Sequence, residues 1–233
     1  MKLCIREVLL LICLVLLIGC HRRIGAPEDR EELLRPEKVV SFDRLYKANC
    51  SACHGENGAG GPAIDLSNPN YQALVDDASM RRWITSGMPG TQMPAFGTSA
   101  GGFLTPEQVD ALITGMRSRW STQTGVKEDM PPYRATGAGN ADRGNELFRS
   151  TCSPCHQQSS QKLADPSYLS LVSDQSLRTI VIAGRRDLGH PDWVQVRHNQ
   201  PLADQDVSDV VAYLNSLRND TPGGPYSDTK SKR

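Results

Sequence analysis

This chain of 233 residues has few aromatic side chains, no excess of charge of either sign and no long apolar run. Hydrophobic residues make up 38% and aromatic residues 6%, against about 45–50% apolar residues in an ordinary globular domain, so the side chains alone are short of core material. Lys and Arg number 26 and so do Asp and Glu, which excludes the basic surface of a nucleic-acid-binding protein. The longest apolar run, residues 8–19, has 12 residues, whereas a spanning helix needs about 20. We therefore expect no spanning helix, and the length allows two small domains.

The short apolar run has the layout of a secretory signal peptide, because Lys2 and Arg6 precede it and a small residue ends it. Residues 17–20 have the sequence Leu-Ile-Gly-Cys, which resembles the lipobox of bacterial lipoproteins. That resemblance implies that residues 1–19 are removed and that Cys20 is acylated. An ordinary signal peptide followed by an incidental cysteine is the alternative. Export is expected in either case.

Four further cysteines fall into two copies of the pattern Cys-x-x-Cys-His, at residues 50–54 and 152–156. Two thiols three positions apart on a helical turn can reach both vinyl groups on one porphyrin edge, and the adjacent imidazole can bind the iron. The pattern predicts two covalent c-type haems, attached through Cys50, Cys53, Cys152 and Cys155. A zinc site would leave both histidines unexplained, a thioredoxin-like pair needs a strand before its helix, and a disulfide framework is the third alternative.

With an amphipathic helix before each motif, the chain resembles the class I cytochrome c family. The resemblance implies an all-α fold of two tandem domains, each a small helical fold around one haem, with His54 and His156 as the first axial ligands. A glycine is usual in the family where the first and last helices of a domain cross. Gly144 fits this in the second half, whereas Phe42 stands at the matching position of the first half.

Comparison of the chain with itself shows that the two halves are duplicated. At an offset of 97 residues, Gly87 aligns with Gly184 and Met93 aligns with His190. The last helices match at an offset of 98, and both carry apolar residues at i, i+3, i+4 and i+7. These positions are Val109, Leu112, Ile113 and Met116 in the first copy and Val207, Val210, Val211 and Leu214 in the second. Thr105, Pro106 and Gln108 predict a capped start for the first of the two helices.

The repeat divides the chain into segments. We expect a lipid-anchored tether at residues 20–37, domain 1 at 38–120, a linker at 121–141, domain 2 at 142–219 and a disordered tail at 220–233.

The repeat also selects the second axial ligand of each haem. Domain 1 offers Met88 and Met93, and Met93 is preferred because it aligns with another residue that can bind iron, whereas Met88 aligns with Arg185. In domain 2 the aligned residue is His190; His198, or an iron with one open position, are the alternatives. Loss of the thioether ligand should make haem 2 the lower-potential centre, by about 0.1–0.3 V of the roughly 0.8 V that axial ligation spans.

Two further expectations concern the surface and the loops. Arg81 and Arg178, aligned in the repeat, are predicted to lie on a solvated helix face. Domain 1 has a glycine-rich stretch after its motif, residues 55–61, where backbone can approach the haem and accept from the ligand imidazole. Domain 2 has residues 157–160, Gln-Gln-Ser-Ser, at that place.

Together these features predict an exported, lipid-anchored electron carrier on the periplasmic side of the membrane, in a respiratory chain. Its expected partners are a quinol-oxidising complex or dehydrogenase and a terminal oxidase, without a small-molecule substrate, and we do not expect an enzyme. One alternative is a peroxide-reducing or gas-binding protein with an open iron in domain 2. The other is a fixed haem subunit of an oxidase or dehydrogenase complex.

Overall fold

The computed structural model describes residues 34–121, 129–156, 163, 166–197 and 200–218, without the side chain of residue 167. Several predictions concern residues outside these ranges: the signal peptide, Cys20, most of the tether, the loop at 157–160, His198 and the tail. The described residues from Glu37 onward belong to one compact unit.

The described residues are helical and contain no β-strand, which confirms the predicted fold class. The α-helices, numbered in chain order, are α1 (Phe42–Asn49), α2 (Ser51–His54), α3 (Pro69–Leu74), α4 (Asp77–Ser86), α5 (Pro106–Trp120), α6 (Ala141–Leu147), α7 (Ser153–His156), α8 (Pro166–Leu169), α9 (Asp174–Ala183) and α10 (Asp204–Ser216). Three short 3₁₀ turns and one π-helical segment complete them: Pro36–Lys38, Thr98–Ala100, Arg186–Leu188 and Phe148–Cys152.

Each domain has its own hydrophobic core, closed by its first and last long helices. α1 packs against α5 in domain 1, and α6 packs against α10 in domain 2. All eight predicted core positions on α5 and α10 are buried, with Leu112 and Val207 fully inaccessible to solvent. The predicted helix faces are therefore confirmed.

The helix crossing uses one glycine and one aromatic ring in each domain, in opposite arrangements. In domain 1 the glycine is Gly115 on α5, where an added Cβ would lie 2.2 Å from Cδ2 of Phe42. In domain 2 the glycine is Gly144 on α6, where an added Cβ would lie 1.9 Å from the carbonyl oxygen of Asp209 and 2.9 Å from Cβ of Tyr213. Phe42 therefore departs from the family pattern without loss of close packing, because the glycine has moved to the partner helix.

Helix starts are marked by side-chain caps. Thr105 and Gln108 form the predicted capping box, with Gln108 N–H donating to Thr105 Oγ1 at 3.3 Å and Thr105 N–H donating to Gln108 Oε1 at 3.0 Å. Asp76 caps α4, and Ser173 caps α9 at the aligned position.

The prediction that Arg178 lies on a solvated face is wrong. Its residue is only 3% exposed, and its guanidinium donates to the carbonyl oxygens of Pro132 and Tyr133 and pairs with Asp204. The chain before α6 folds back over α9 and covers it, which the helical pattern of α9 alone does not reveal. Arg81, by contrast, is exposed and pairs with Asp110.

In the part of the chain that the structure describes, no helix combines the length and the apolar character needed to span a bilayer.

Candidate haem sites

The first haem-attachment motif lies where α1 gives way to α2. Cys50 ends α1, with its N–H donating to the carbonyl of Tyr46 at 2.8 Å, and its own carbonyl accepts from His54 N–H at 2.9 Å. Cys50, Cys53 and His54 thus share one helical turn. Cys50 is half-buried and Cys53 is exposed. This is the donor set that two thioether bonds to one porphyrin edge require.

The backbone before the second motif differs from that before the first, because it is π-helical. The π-helical segment ends at Cys152, and α7 carries Cys155 and His156. π-helical turns are frequent at functional sites. Cys152 is half-buried and Cys155 is exposed, as in the first motif. The two halves therefore present matched pairs of thiols despite their different backbones.

Before haem attachment, burial favours the protonated form of the inner thiol of each pair. It raises the pKa of Cys50 to about 12 and that of Cys152 to about 11, and the neighbouring cysteine of each motif adds to the rise. Protonated thiols are poor nucleophiles for disulfide exchange.

The glycine-rich stretch of domain 1 orients His54. The Nδ1 of His54 lies 2.8 Å from the carbonyl oxygen of Ile64, just after the glycines, so that Nε2 is left for a metal. Gly55 has φ +79°, and an added Cβ there would lie 1.8 Å from the carbonyl oxygen of Ala59. Only glycine permits this tight return of the loop. Burial lowers the pKa of His54, which favours the neutral imidazole that binds metals.

The two predicted sixth-ligand loops share one backbone hydrogen bond at equivalent positions. Met88 N–H donates to the carbonyl of Met93 at 3.1 Å, and Arg185 N–H donates to the carbonyl of His190 at 3.2 Å. The aligned glycines, Gly87 and Gly184, both have positive φ and both lie against these loops. Met93 and His190 thus occupy equivalent places in the two domains.

In domain 2 the structure brings the two candidate histidine ligands close together, with their rings tilted by 45°. The ring centres of His156 and His190 are 6.0 Å apart. Since a metal–imidazole bond is about 2 Å long, two imidazoles on opposite sides of one iron hold their ring centres about 6 Å apart. Burial lowers the pKa of both rings, and each is therefore neutral at pH 7. The buried Nδ1 of His190 has no hydrogen-bond partner among the described residues. These residues fit a haem held between two histidines.

In domain 1 the two methionines that were considered as ligands, Met88 and Met93, have different surroundings. The sulfur of Met88 lies 3.4 Å and 3.1 Å from the hydroxyl oxygens of Ser173 and Ser176, at the start of α9 in the other domain. Met93 instead packs against the hydrophobic core of domain 1. Met93 is therefore on the inner side of its loop.

The sequence prediction missed the contacts that join the two domains next to these sites. Asn68 is fully buried and donates to the carbonyl of Ala183 at 2.9 Å, and Arg185 donates to the carbonyl of Gly61 at 2.8 Å. One signal was present in the repeat: an arginine at position 185 replaces the apolar Met88 beside a ligand loop.

Two known families match this chain, one in each half. The family described as "Cytochrome C oxidase, cbb3-type, subunit III" matches residues 37–114, and the family described as "Cytochrome c" matches residues 141–218. The chain therefore consists of two cytochrome c-type domains in tandem. It is a dihaem c-type cytochrome, with one covalently bound haem at each of its two Cys-x-x-Cys-His motifs.

The chain is similar over most of its length to subunits of respiratory complexes. It is 24% identical over 212 residues to a "Cytochrome bc1 complex cytochrome c subunit" of Mycobacterium leprae, covering 87% of this chain and 68% of the relative. It is 22% identical over 209 residues to a "Cbb3-type cytochrome c oxidase subunit FixP" of Rhizobium etli, covering 81% of this chain and 64% of the relative. The chain thus spans about two thirds of the length of these relatives.

Among solved structures, the chain is similar to a protein of the "Kuenenia stuttgartiensis reducing HAO-like protein complex Kustc0457/Kustc0458". The TM-score is 0.43 at 18% identity, over 80% of this chain and 100% of that one. A likeness of this size carries no argument.

Proposed function

We propose that this dihaem cytochrome transfers single electrons in a respiratory chain and is not an enzyme. The proposal is supported by the equivalence of the Met93 and His190 loops, since each carries a ligand-capable side chain at the same place of the repeat and each has the same first hydrogen bond across the loop. An iron with both axial positions filled by protein exchanges electrons without binding a substrate.

The residues that hold the haems are assigned as follows. Cys50 and Cys53 attach haem 1, with His54 and Met93 as axial ligands. Cys152 and Cys155 attach haem 2, with His156 and His190 as axial ligands. When bound, each haem supplies a one-electron iron couple. The thiols fix the porphyrin in place, and the hydrogen bond from His54 Nδ1–H to the carbonyl oxygen of Ile64 keeps the ring of His54 in one orientation.

Different axial ligands set the direction of electron flow. A thioether ligand raises the potential of a c-type haem relative to a second imidazole. The two His rings of domain 2, 6.0 Å apart, support the lower potential there, and Met93 supports the higher potential in domain 1. Electrons therefore enter through domain 2 and collect in domain 1.

We infer that the chain is exported and held to the membrane by acylated Cys20. Removal of residues 1–19, followed by a charged tether to residue 37, would hold domains at 38–120 and 142–219 on the periplasmic side, joined by the linker at 121–141. The lipobox-like sequence before Cys20 supports this.

The partners proposed are a quinol-oxidising complex or dehydrogenase as donor and a terminal oxidase as acceptor. A second candidate role is a fixed haem subunit within one such complex, because the relatives bear the names of bc1 and cbb3 oxidase subunits. Gentle detergent extraction distinguishes the two: a free carrier leaves the large complexes, whereas a fixed subunit co-purifies with them.

The decisive experiment on the haem sites combines the ferrous optical spectrum with and without CO and low-temperature EPR of the ferric holoprotein. No CO shift, together with one His/Met and one bis-His signal, supports the electron carrier. His190→Met should replace the bis-His signal by a second His/Met signal, whereas His198→Ala should leave both signals unchanged. If CO shifted the spectrum of one of the two haems in the wild type, and disruption of domain 2 abolished that shift, the proposal would be overturned in favour of gas or peroxide chemistry.

A further inference from the structure

One arginine lies at the contact between the two haem domains and belongs to neither haem-attachment motif. The side chains of Arg185 and Asp187 are each only 8% exposed and form an ion pair, with Arg185 Nε donating to Oδ1 at 2.9 Å and Nη2 donating to Oδ2 at 2.7 Å. Both side chains also reach domain 1. Arg185 Nη2 donates to the carbonyl of Gly61 at 2.8 Å, and Gly60 N–H donates to Asp187 Oδ2 at 3.0 Å. We call this pair with its two glycine contacts the clasp.

On the domain 1 side, the clasp holds the loop that orients an iron ligand. Gly60 and Gly61 belong to the glycine-rich stretch that continues to Ile64, whose carbonyl oxygen lies 2.8 Å from Nδ1 of His54. An added Cβ at Gly61 would lie 2.2 Å from the carbonyl oxygen of Cys53. The stretch therefore lies directly on the attachment motif.

On the domain 2 side, the clasp is continuous with the loop that presents the other ligand. Arg185 N–H donates to the carbonyl of His190 at 3.2 Å, and His190 N–H donates to the carbonyl of Arg185 at 2.9 Å. Hydrogen bonds and one short stretch of chain thus connect His54 in domain 1 to His190 in domain 2.

Two asparagines hold the same loop from a second direction. Asn68, fully buried, donates to the carbonyl of Ala183, just before the loop. Asn70 donates to Oδ2 of Asp192, just after it, at 2.9 Å. The domains are therefore joined at the ligand loops themselves.

The buried guanidinium also acts electrostatically on both sites. Its charge lies against the loop that orients His54 and on the loop that carries His190. A fixed cation beside a haem site disfavours the extra positive charge of ferric iron, and so raises the reduction potential. The carboxylate of Asp187 offsets part of this effect.

We propose that Arg185 is a positioning residue for electron transfer between the two haems, which couples the loop that orients His54 to the loop that presents His190. This inference rests on the proposed function. In the step, one electron leaves the domain 2 site and arrives at the domain 1 site, so that domain 2 is oxidised and domain 1 is reduced. No bond and no proton is exchanged.

The test measures both midpoint potentials and the rate of transfer between the haems in the holoprotein, after one electron per molecule is injected from a photoreduced flavin. In Arg185→Met, the clasp is broken and an unpaired carboxylate remains, so both potentials should fall. The observed rate is the rate in the docked arrangement multiplied by the docked fraction. Since the asparagine contacts remain, loss of one charge-assisted hydrogen bond should slow the transfer by about two- to tenfold.

Three further variants separate charge from position. Asp187→Asn removes the carboxylate and leaves the cation, so both potentials should rise, opposite to Arg185→Met. The double variant should have potentials near those of the wild type and yet transfer slowly. Arg186→Met, at the exposed neighbouring arginine, is the matched control and should change neither readout, because solvent screens its charge.

If the midpoint potentials shifted in the same direction in Arg185→Met and Asp187→Asn, the cause would be a general loosening of the fold. That result would overturn the proposal. So would a wild-type transfer rate in Arg185→Met. Failure of the proposed function has a different signature, because it appears in the wild type itself, as CO binding at domain 2 or as the absence of any transfer between the haems.

Discussion

The ring of Phe42 lies over Gly115 at the point where the first and last helices of domain 1 cross. An added Cβ at Gly115 would lie 2.2 Å from Cγ and Cδ2 of that ring and 2.6 Å from Cβ of Phe42. Domain 2 has the reverse arrangement, with Gly144 on the first helix and Tyr213 on the last. Each domain thus reaches the same close crossing with one glycine and one aromatic residue, exchanged between the helices.

Gly115→Ala should therefore destabilise domain 1, although alanine is the better helix former. The ring cannot move far, since it also packs against Tyr46 and Trp120, and overpacking of this kind costs about 1–3 kcal/mol. Guanidinium unfolding of the holoprotein measures the loss. The double variant with Phe42→Gly should lose less stability than the sum of the two single losses, because the helix then has room for the methyl group. Strictly additive losses in the double variant would show that the two residues do not interact. Gly137→Ala, whose nearest neighbour atom lies 3.8 Å away, is the matched control.

The exchange of glycine and aromatic residue between the crossing helices shows which features of the fold could be predicted from the sequence. Apolar periodicity identified the buried faces of α5 and α10, because each position depends only on its own helix. The replacement of glycine by Phe42 looked like a defect from one helix alone, since its compensation lies 73 residues away at Gly115. Pairings of this kind appear only when both helices are seen together.

The sites show the same division. The motif spacing and the repeat sufficed to name candidate axial ligands, because a motif is a local pattern and the repeat needs only one alignment. The contacts of Arg185 and the burial of Arg178 could not be predicted, since both depend on how a loop or linker of one segment packs on another. A charged residue in an otherwise apolar slot of a repeat was the sole signal at Arg185.

The caps of the last helices of the two domains predict one variant that lowers the free energy of unfolding and one that raises it. Thr105 forms a capping box at α5, whereas the aligned Ala203 at α10 has no side-chain oxygen to accept a hydrogen bond. Thr105→Ala should cost about 1 kcal/mol in the free energy of unfolding, and Ala203→Ser should gain up to that amount. Denaturant unfolding of the two variants beside the wild type measures both. If Ala203→Ser gave no gain, the Asp206 carboxylate, which accepts from Ala203 N–H at 3.1 Å, would already satisfy this helix start.

Of the aligned caps of α4 and α9, only the cap in domain 1 should contribute a pH dependence to the free energy of unfolding. Asp76 accepts from Ser79 N–H at 2.6 Å, and this hydrogen bond lowers the pKa of its carboxyl. A pKa that is lower in the folded state gives stability that is full above the unfolded value of about 4 and is lost as the pH falls through the folded value. The aligned cap in domain 2, Ser173, does not titrate.

Asp76→Ser should therefore remove this dependence while keeping a cap. The difference in unfolding free energy between the wild type and Asp76→Ser should be constant from pH 7 to pH 5 and should shift in favour of serine below about pH 4. Protonation of the haem ligands affects both proteins alike and cancels in the difference. A difference that stays constant down to pH 3 would show that the Asp76 carboxylate contributes nothing through its charge.

The two candidate methionine ligands of domain 1, Met88 and Met93, give the sharpest test of the axial assignment. The sulfur of Met88 accepts from the hydroxyls of Ser173 and Ser176 in the other domain, whereas Met93 packs on the core of its own domain. Met93→Ala should open one axial position, so that ferrous haem 1 binds CO and its midpoint potential falls. Met88→Ala should leave the spectrum and the CO response of haem 1 unchanged, because its sulfur is committed to the contact between the domains. CO binding by Met88→Ala together with an unresponsive Met93→Ala would exchange the two roles. The loop between Gly87 and Phe96 would then have to rearrange on haem attachment, so that the side chains of Met88 and Met93 exchange positions. The hydrogen bond from Met88 N–H to the Met93 carbonyl holds the present arrangement.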